Sequence, residues 1–185
     1  MLRAILAGLL LAAPLAAQSP FPVDLGGPYS LTDQTGSTRT EADPDGRVQM
    51  IFFGYANCLN ICSAALPLMG DVTAALEAEG VLVTPVMITI DPVQDSVETI
   101  GPPLEQHHPR FVGLTGDKDA LIHAYSAFNV SFEPLFEDPE YGWVYSHTGF
   151  VHLLDGDGQL LTLLPPVLDA ARMTDIVRGY ASPRG

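Results

Sequence analysis

The feature that most constrains the fold is an apolar run at residues 48–53 that ends shortly before a pair of cysteines, Cys58 and Cys62. An apolar run without polar alternation is typical of a central strand that is buried on both faces. The segment 63–79 that follows reads as a helix, and residues 81–90 form a second apolar run. The cysteines are therefore predicted to lie where a buried strand meets its helix.

Further strands and helices are predicted along the rest of the chain. A hairpin is predicted at 29–40, a helix from Asp95 to about His108 that begins with a capping box, a strand at 111–114 and helices at 117–128 and 169–180. Residues 143–154 and 159–164 predict a late hairpin, residues 132–142 an exposed loop, and Pro67 and Gly70 a kink in the first helix.

This order of elements predicts an α/β, thioredoxin-like fold. Strands that alternate with helices and end in a hairpin and a helix form a central mixed sheet flanked by helices. The N-terminal hairpin and the late hairpin insertion add to that sheet. A cysteine pair between the first central strand and its helix is the arrangement of thioredoxin-like proteins.

Composition and the first residues bear on location and partners. The chain has 185 residues, with 22 acidic against 8 basic side chains, which makes nucleic acid an unsuitable partner. A basic start and a short apolar run predict that residues 1–17 are a signal peptide or an uncleaved anchor. Residues 18–27 are then a lead-in and 28–182 the folded domain. We expect an exported protein of a bacterial periplasm.

Cys58 and Cys62 are the two cysteines of the chain, and their spacing leaves two chemistries open. If the helix begins near Cys58, both thiols point to one face, one turn apart. A helix N-terminus favours the thiolate, which binds metal or attacks a disulfide. A pair at i and i+4 is separated by roughly 6 Å between Cα atoms, so it can close a disulfide or share one ion.

His147 is the strongest candidate for a further metal ligand, because it belongs to the late hairpin, which is expected beside the cysteines. The alternative is a strand-end histidine bonded to the backbone. Two thiolates and an imidazole suit Cu(I) and Cu(II), whereas structural zinc normally takes four protein ligands. The other histidines and three methionines in apolar stretches are not expected to be ligands. His107 and His108 are interpreted as helix-end cations and His123 as a surface or half-buried helix residue. The expected packing residues are His152, Met50, Met69 and Met87.

At these residues the chain resembles the Sco/SenC family of copper-binding proteins. The resemblance runs from about Asp24 to Tyr180 and rests on an ordered set of motifs. These motifs are GGPYSLTD at 26–33, FFGY at 52–55, the pair Cys58 and Cys62, TIDP at 89–92, HPRFVGLTG at 108–116, and His147 ahead of VHLLDGDG at 151–158. The chain departs from the family pattern at Asn57, Asn60, Ser63 and Ser146.

The resemblance implies a thioredoxin-like domain that binds copper through Cys58, Cys62 and His147. It implies a periplasmic copper chaperone that delivers copper to the binuclear copper site in subunit II of cytochrome c oxidase, or to another periplasmic copper acceptor. Other copper chaperones and thioredoxin-like reductants are further expected partners. The alternative is a thiol-disulfide oxidoreductase that reduces the cysteines of a copper-site partner through Cys58 and Cys62.

Overall fold

The computed structural model describes residues 25–56, 64–139, 142–165 and 167–181. The strands in these ranges are β1 (Leu31–Asp33), β2 (Thr38–Arg39), β3 (Gln49–Gly54), β4 (Thr84–Thr89), β5 (Val112–Thr115), β6 (Phe132–Asp138), β7 (Gly142–His147), β8 (Val151–Leu154) and β9 (Leu160–Leu164). The helices are α1 (Ala65–Ala78), α2 (Gly101–Glu105), α3 (Lys118–Ala127) and α4 (Ala170–Ala181).

A mixed sheet of seven strands, in the order β2-β1-β5-β4-β3-β8-β9, forms the centre of the fold. Strands β3, β4 and β5 run parallel, whereas β1 and β8 pair antiparallel at either side of them. Because β3 and β4 run in the same direction, their carboxyl ends lie at one edge of the sheet. The cysteine segment follows β3 at that edge.

Both faces of the sheet are covered, which explains the unbroken apolar run in β3. Met50 and Phe52 point to one face, where they join a core with α1, α2 and α4. Ile51 and Phe53 point to the other face and pack in a core with α3. A strand buried on both sides is nearly continuously apolar, and the buried Gln49 at the start of β3 is satisfied by donating to the Glu41 carbonyl oxygen at 2.6 Å. The predicted α/β fold with a mixed sheet flanked by helices is confirmed.

The two predicted turns of the sheet are also observed. β1 and β2 form the N-terminal hairpin, and Asp33 closes its turn by accepting hydrogen bonds from the amides of Thr35 and Ser37 at 2.9 and 3.0 Å. β8 and β9 form a hairpin in which Asp155 accepts the amides of Asp157 and Gln159 at 3.0 and 2.8 Å. Short acidic side chains of this kind stabilise turns by bonding backbone two residues onward.

The late part of the chain differs from the prediction in its strand pairing. Residues 143–154 do not form one strand: β7 ends at His147, and β8 begins at Val151 in the seven-stranded sheet. The predicted loop at 132–142 instead supplies β6, which pairs with β7 in a separate two-stranded sheet. The pairing shifts register between Pro134 and Phe136, and such an edge irregularity accommodates a proline within a strand.

The helix predicted from Asp95 to His108 is much shorter, because α2 spans only Gly101–Glu105. Asp95 does not cap it; the Asp95 side chain is fully buried and bonds elsewhere. In α1, Pro67 stands in the first turn, where its missing N–H would have no helical partner. A side chain at Gly70 would come within 2.6 Å of the His107 carbonyl oxygen, so this glycine permits close packing rather than marking a break.

Candidate metal site

Cys58 and Cys62 fall in residues 57–63, outside the described residues, but the structure fixes both flanks of this segment. Strand β3 ends at Gly54 and the described chain continues to Ala56. Helix α1 begins at Ala65 with Ala64 as its N-cap residue. The segment therefore connects the carboxyl end of β3 to the N-terminus of α1. That the two thiols share one helical face stays a prediction.

His147 lies at the same edge of the sheet. It is the last residue of β7, and its ring contacts Phe52 and Tyr55 with centroid separations of 5.5 and 6.3 Å. Tyr55 follows β3 and is three residues before Cys58. The β6–β7 hairpin thus brings a histidine distant in sequence next to the strand that leads into the cysteines.

The environment of His147 suits a neutral imidazole ligand. Burial lowers the pKa of His147, although a backbone hydrogen bond near Thr148 opposes that effect. Its Nδ1 lies 3.2 Å from the Thr148 carbonyl oxygen, so Nδ1–H can donate there and leave the Nε2 lone pair free. A histidine that binds metal commonly donates its other ring N–H to a carbonyl or carboxylate. The backbone bond and the ligand role are therefore compatible.

A buried polar network borders this edge, and the sequence reasoning missed it. Asp95 Oδ2 accepts hydrogen bonds from the Ala56 amide at 3.0 Å and from the Thr89 hydroxyl at 2.7 Å. The Tyr125 hydroxyl donates to the Thr89 carbonyl oxygen at 2.7 Å. The sequence does contain a signal for this network, because Asp91 and Asp95 lie within five residues of the end of the predicted second strand. The ends of parallel strands meet at one edge of a sheet, so acidic side chains there are candidates for a shared site.

The network also reaches the β6–β7 hairpin. Burial raises the pKa of Tyr145, and the charge of Asp91 and a hydrogen bond with its carboxylate raise it further. The Tyr145 ring packs edge-on against Tyr55 with centroids 5.6 Å apart. The Gln94 amide approaches Gly142, where a Cβ would lie only 3.1 Å from Nε2. The turn after β4 therefore packs beside the hairpin that carries His147.

The remaining histidines lie outside this site. His123 is exposed, as predicted, and His152 is buried between Phe53 and Phe128, as expected for a packing residue. Burial lowers the pKa of His107, which opposes its predicted role as a helix-end cation. His108 Nδ1 accepts the Arg110 amide and its Nε2 faces Glu77 at 3.2 Å, so its role as a cation stays a prediction.

The methionines behave as predicted, since Met50, Met69 and Met87 are fully buried in the core. Among the described residues no cluster of three His, Cys, Asp or Glu side chains has the geometry of a metal site. This is compatible with a site in which two of three ligands belong to residues 57–63. The helices in the described part of the chain are all too short or too polar to cross a membrane.

Comparison with known proteins places the chain in a family. A sequence model of the SCO1/SenC family matches residues 17–182. The human mitochondrial SCO1 homolog is 33% identical over 139 residues, which are 74% of this chain and 46% of the human protein. A SCO2-like protein of Rickettsia felis is 30% identical over 152 residues, 80% of this chain and 74% of the relative. The chain spans less than half of the human relative's length.

Solved structures agree with this assignment. Yeast Sco1 with copper bound superposes with a TM-score of 0.75 at 32% identity, over 88% of this chain and 91% of the yeast chain. Bradyrhizobium japonicum ScoI with copper bound gives 0.73 at 25% identity, over 84% and 99%. BsSco, a member of the Sco family of cytochrome c oxidase assembly proteins, shares the fold at 21% identity and a TM-score of 0.61, over 91% and 100%. The chain belongs to the SCO1/SenC family and has its thioredoxin-like fold.

Proposed function

We propose that this protein binds one copper ion through Cys58, Cys62 and His147 and delivers it to the binuclear copper site of cytochrome c oxidase. The observation that carries the proposal is the position of His147 against Phe52 and Tyr55, at the end of the strand that leads into the cysteine segment. A half-buried imidazole with a lowered pKa and two thiolates form a donor set that suits copper in both oxidation states. Relatives solved with copper bound support the same cargo.

The chemistry assigned to each residue follows from its type. Cys58 and Cys62 are the thiolates that hold Cu(I), and His147 adds the nitrogen donor that stabilises Cu(II). The acceptor receives copper by exchange of these ligands for its own. Because thiols must be reduced and deprotonated to bind metal, closure of a Cys58–Cys62 disulfide prevents loading. The acceptor is subunit II of the oxidase or another periplasmic copper protein, and the signal peptide or uncleaved anchor predicted at 1–17 supports a periplasmic location.

Copper titration of the reduced protein tests this proposal. We expect one tightly bound copper per chain and a thiolate-to-Cu(II) absorption band. His147→Ala should abolish the band, while His123→Ala, which removes an exposed histidine on α3, should leave it unchanged. Cys58→Ser and Cys62→Ser should each remove tight Cu(I) binding. A Cu(II) band that survives in His147→Ala would contradict the ligand set.

A second candidate function is reduction of a copper-site partner's cysteines. It is favoured by the fold itself, because a cysteine pair between β3 and α1 occupies the redox position of thioredoxin-like proteins. This function needs no ligand at His147. A protein that binds no copper but cycles its disulfide readily, with the same rate in His147→Ala, would support the reductase and exclude the copper carrier.

A further inference from the structure

Asp95 is a carboxylate that the proposed copper chemistry does not use, yet it is fully buried. It lies in the turn after β4, opposite the point where the chain leaves β3 for the cysteine segment. Its Oδ2 atom receives two hydrogen bonds, one from the Ala56 amide and one from the Thr89 hydroxyl. Ala56 is two residues before Cys58. The side chain therefore joins the end of β4 to the start of the cysteine segment.

The second oxygen, Oδ1, has no hydrogen-bond partner among the described residues. An unpaired buried carboxylate oxygen is costly, and such a group in a native structure calls for an explanation. Burial raises the pKa of Asp95 to about 6, and the negative charge of Asp91 acts in the same direction. The hydrogen bonds from Thr89 and Ala56 oppose this shift. A leucine at this position would avoid that cost, but it would leave the Ala56 amide and the Thr89 hydroxyl without their acceptor. The need for an acceptor toward these two buried donors is therefore what keeps a polar side chain at this position.

We propose that Asp95 is a positioning residue for Cys58 and Cys62: by accepting the Ala56 amide it fixes where the cysteine segment leaves the sheet. This inference rests on the proposed function, because it assigns Asp95 to the same site. It concerns the direction of the backbone before Cys58, and it does not make Asp95 a ligand. Residues that orient metal ligands in this way typically contribute 10- to 100-fold to metal affinity.

The chain contains a matched control at the opposite end of the same strand. Asp43 is also a buried aspartate, and its Oδ2 accepts the hydroxyl of Thr84, the first residue of β4, at 2.7 Å. Its Oδ1 accepts backbone amides of Asp45 and Arg47 at 2.9 and 3.1 Å. Both aspartates thus connect a threonine hydroxyl of β4 with backbone amides, but Asp43 bonds amides of its own turn, and only Asp95 of the two lies at the cysteine edge of the sheet.

The test compares Asp95→Ala with Asp43→Ala in the full chain, by Cu(I) affinity and by the reduction potential of the copper-free dithiol. We expect both variants to lose stability. Only Asp95→Ala should lose about 10- to 100-fold in Cu(I) affinity. It should also change the dithiol-disulfide equilibrium constant about tenfold, which is about 30 mV for this two-electron couple. Asp95→Asn keeps one acceptor oxygen and should restore both values to near wild type.

If Asp95→Ala does not fold, Thr89→Val supplies the test, because it removes the hydroxyl that holds Asp95 Oδ2 against the Ala56 amide and that also accepts the Asp91 amide at 2.9 Å. Thr84→Val is its control. Identical affinities and potentials in the Asp95 and Asp43 variants, or in the Thr89 and Thr84 variants, would overturn the inference. An Asp95→Asn protein as impaired as Asp95→Ala would also overturn it, because the hydrogen bond would then not be the cause. Absence of copper binding in wild type would refute the proposed function instead, and the copper-free potential would still test Asp95.

Discussion

Asp33 in the N-terminal hairpin offers the sharpest quantitative prediction. Its carboxylate accepts hydrogen bonds from the Thr35 hydroxyl at 2.6 Å and from the Arg39 guanidinium at 2.8 Å, in addition to two backbone amides in the turn. Burial alone would raise the pKa of Asp33, but the hydrogen bonds from Thr35, Arg39 and Ser37 hold it at about 2. Compared with the ordinary value of 3.8, this corresponds to about 2 kcal/mol of folding free energy.

The sign of the pH dependence follows from the lowered pKa. The ionised carboxylate is favoured in the folded protein, so its stabilisation is complete above pH 4 and is lost as the pH falls towards 2. Asp33→Asn should therefore cost about 2 kcal/mol at pH 7, and the cost should shrink as the pH falls from 4 to 2. The assay is urea unfolding of both proteins across this range.

Asp45→Asn is the control for that measurement. Asp45 is 57% exposed and pairs with Arg47 at the surface, so its removal should change stability little. Copper binding should persist in both variants, because neither side chain belongs to the cysteine edge of the sheet. A cost of Asp33→Asn that is the same at pH 7 and pH 2 would refute the assignment of the stabilisation to the ionised carboxylate.

Two further predictions concern the core. Burial lowers the pKa of His152 to about 4, although backbone hydrogen bonds of Ile51 and Phe128 oppose this shift, so His152 should contribute a loss of about 3 kcal/mol as the pH falls from 6.5 to 4. This loss is read as the difference between wild type and His152→Leu, because Asp95, with its raised pKa, changes stability in the opposite direction over the same range. His152→Leu should lack that loss in urea unfolding, and an unchanged pH dependence would contradict the prediction. A Cβ at Gly113 would lie 2.8 Å from Ile100 and Leu104, so Gly113→Ala should destabilise by about 1–3 kcal/mol. Gly179→Ala, which meets open space in α4, should stabilise by about 0.5–1 kcal/mol, and equal thermal shifts in the two variants would refute the packing argument.

The sequence was most informative where one physical signal dominated. The apolar run of β3 and the second run of β4 predicted buried central strands, because both faces of the sheet are covered. The acidic turn residues at 33 and 155 predicted the two hairpins correctly, since an aspartate that bonds the backbone two residues on is a local feature. Local signals of this kind do not depend on the rest of the fold.

Prediction failed where two local signals competed. The motif Asp-Ser-Val-Glu at 95–98 matches a capping box, but Asp95 is drawn into the sheet edge by the Ala56 amide, and Ser96 bonds Glu98 within the turn. Strand β6 contains a proline and several acidic residues and is mostly exposed, so its sequence resembles that of a loop. Its pairing with β7 depends on tertiary contacts that the local sequence does not show. The position of His147 beside Tyr55 depends on that pairing, so the late hairpin indicated it only weakly, and the family resemblance made His147 the expected ligand.

The central claim is that Cys58, Cys62 and His147 hold one copper ion together. X-ray absorption at the copper edge of the loaded, full-length protein tests it most directly, because sulfur and imidazole nitrogen scatter differently. We predict two sulfur ligands and one imidazole nitrogen in wild type, and loss of the imidazole contribution in His147→Ala but not in His123→Ala. A copper site without sulfur, or one whose imidazole signal persists in His147→Ala, would contradict the claim.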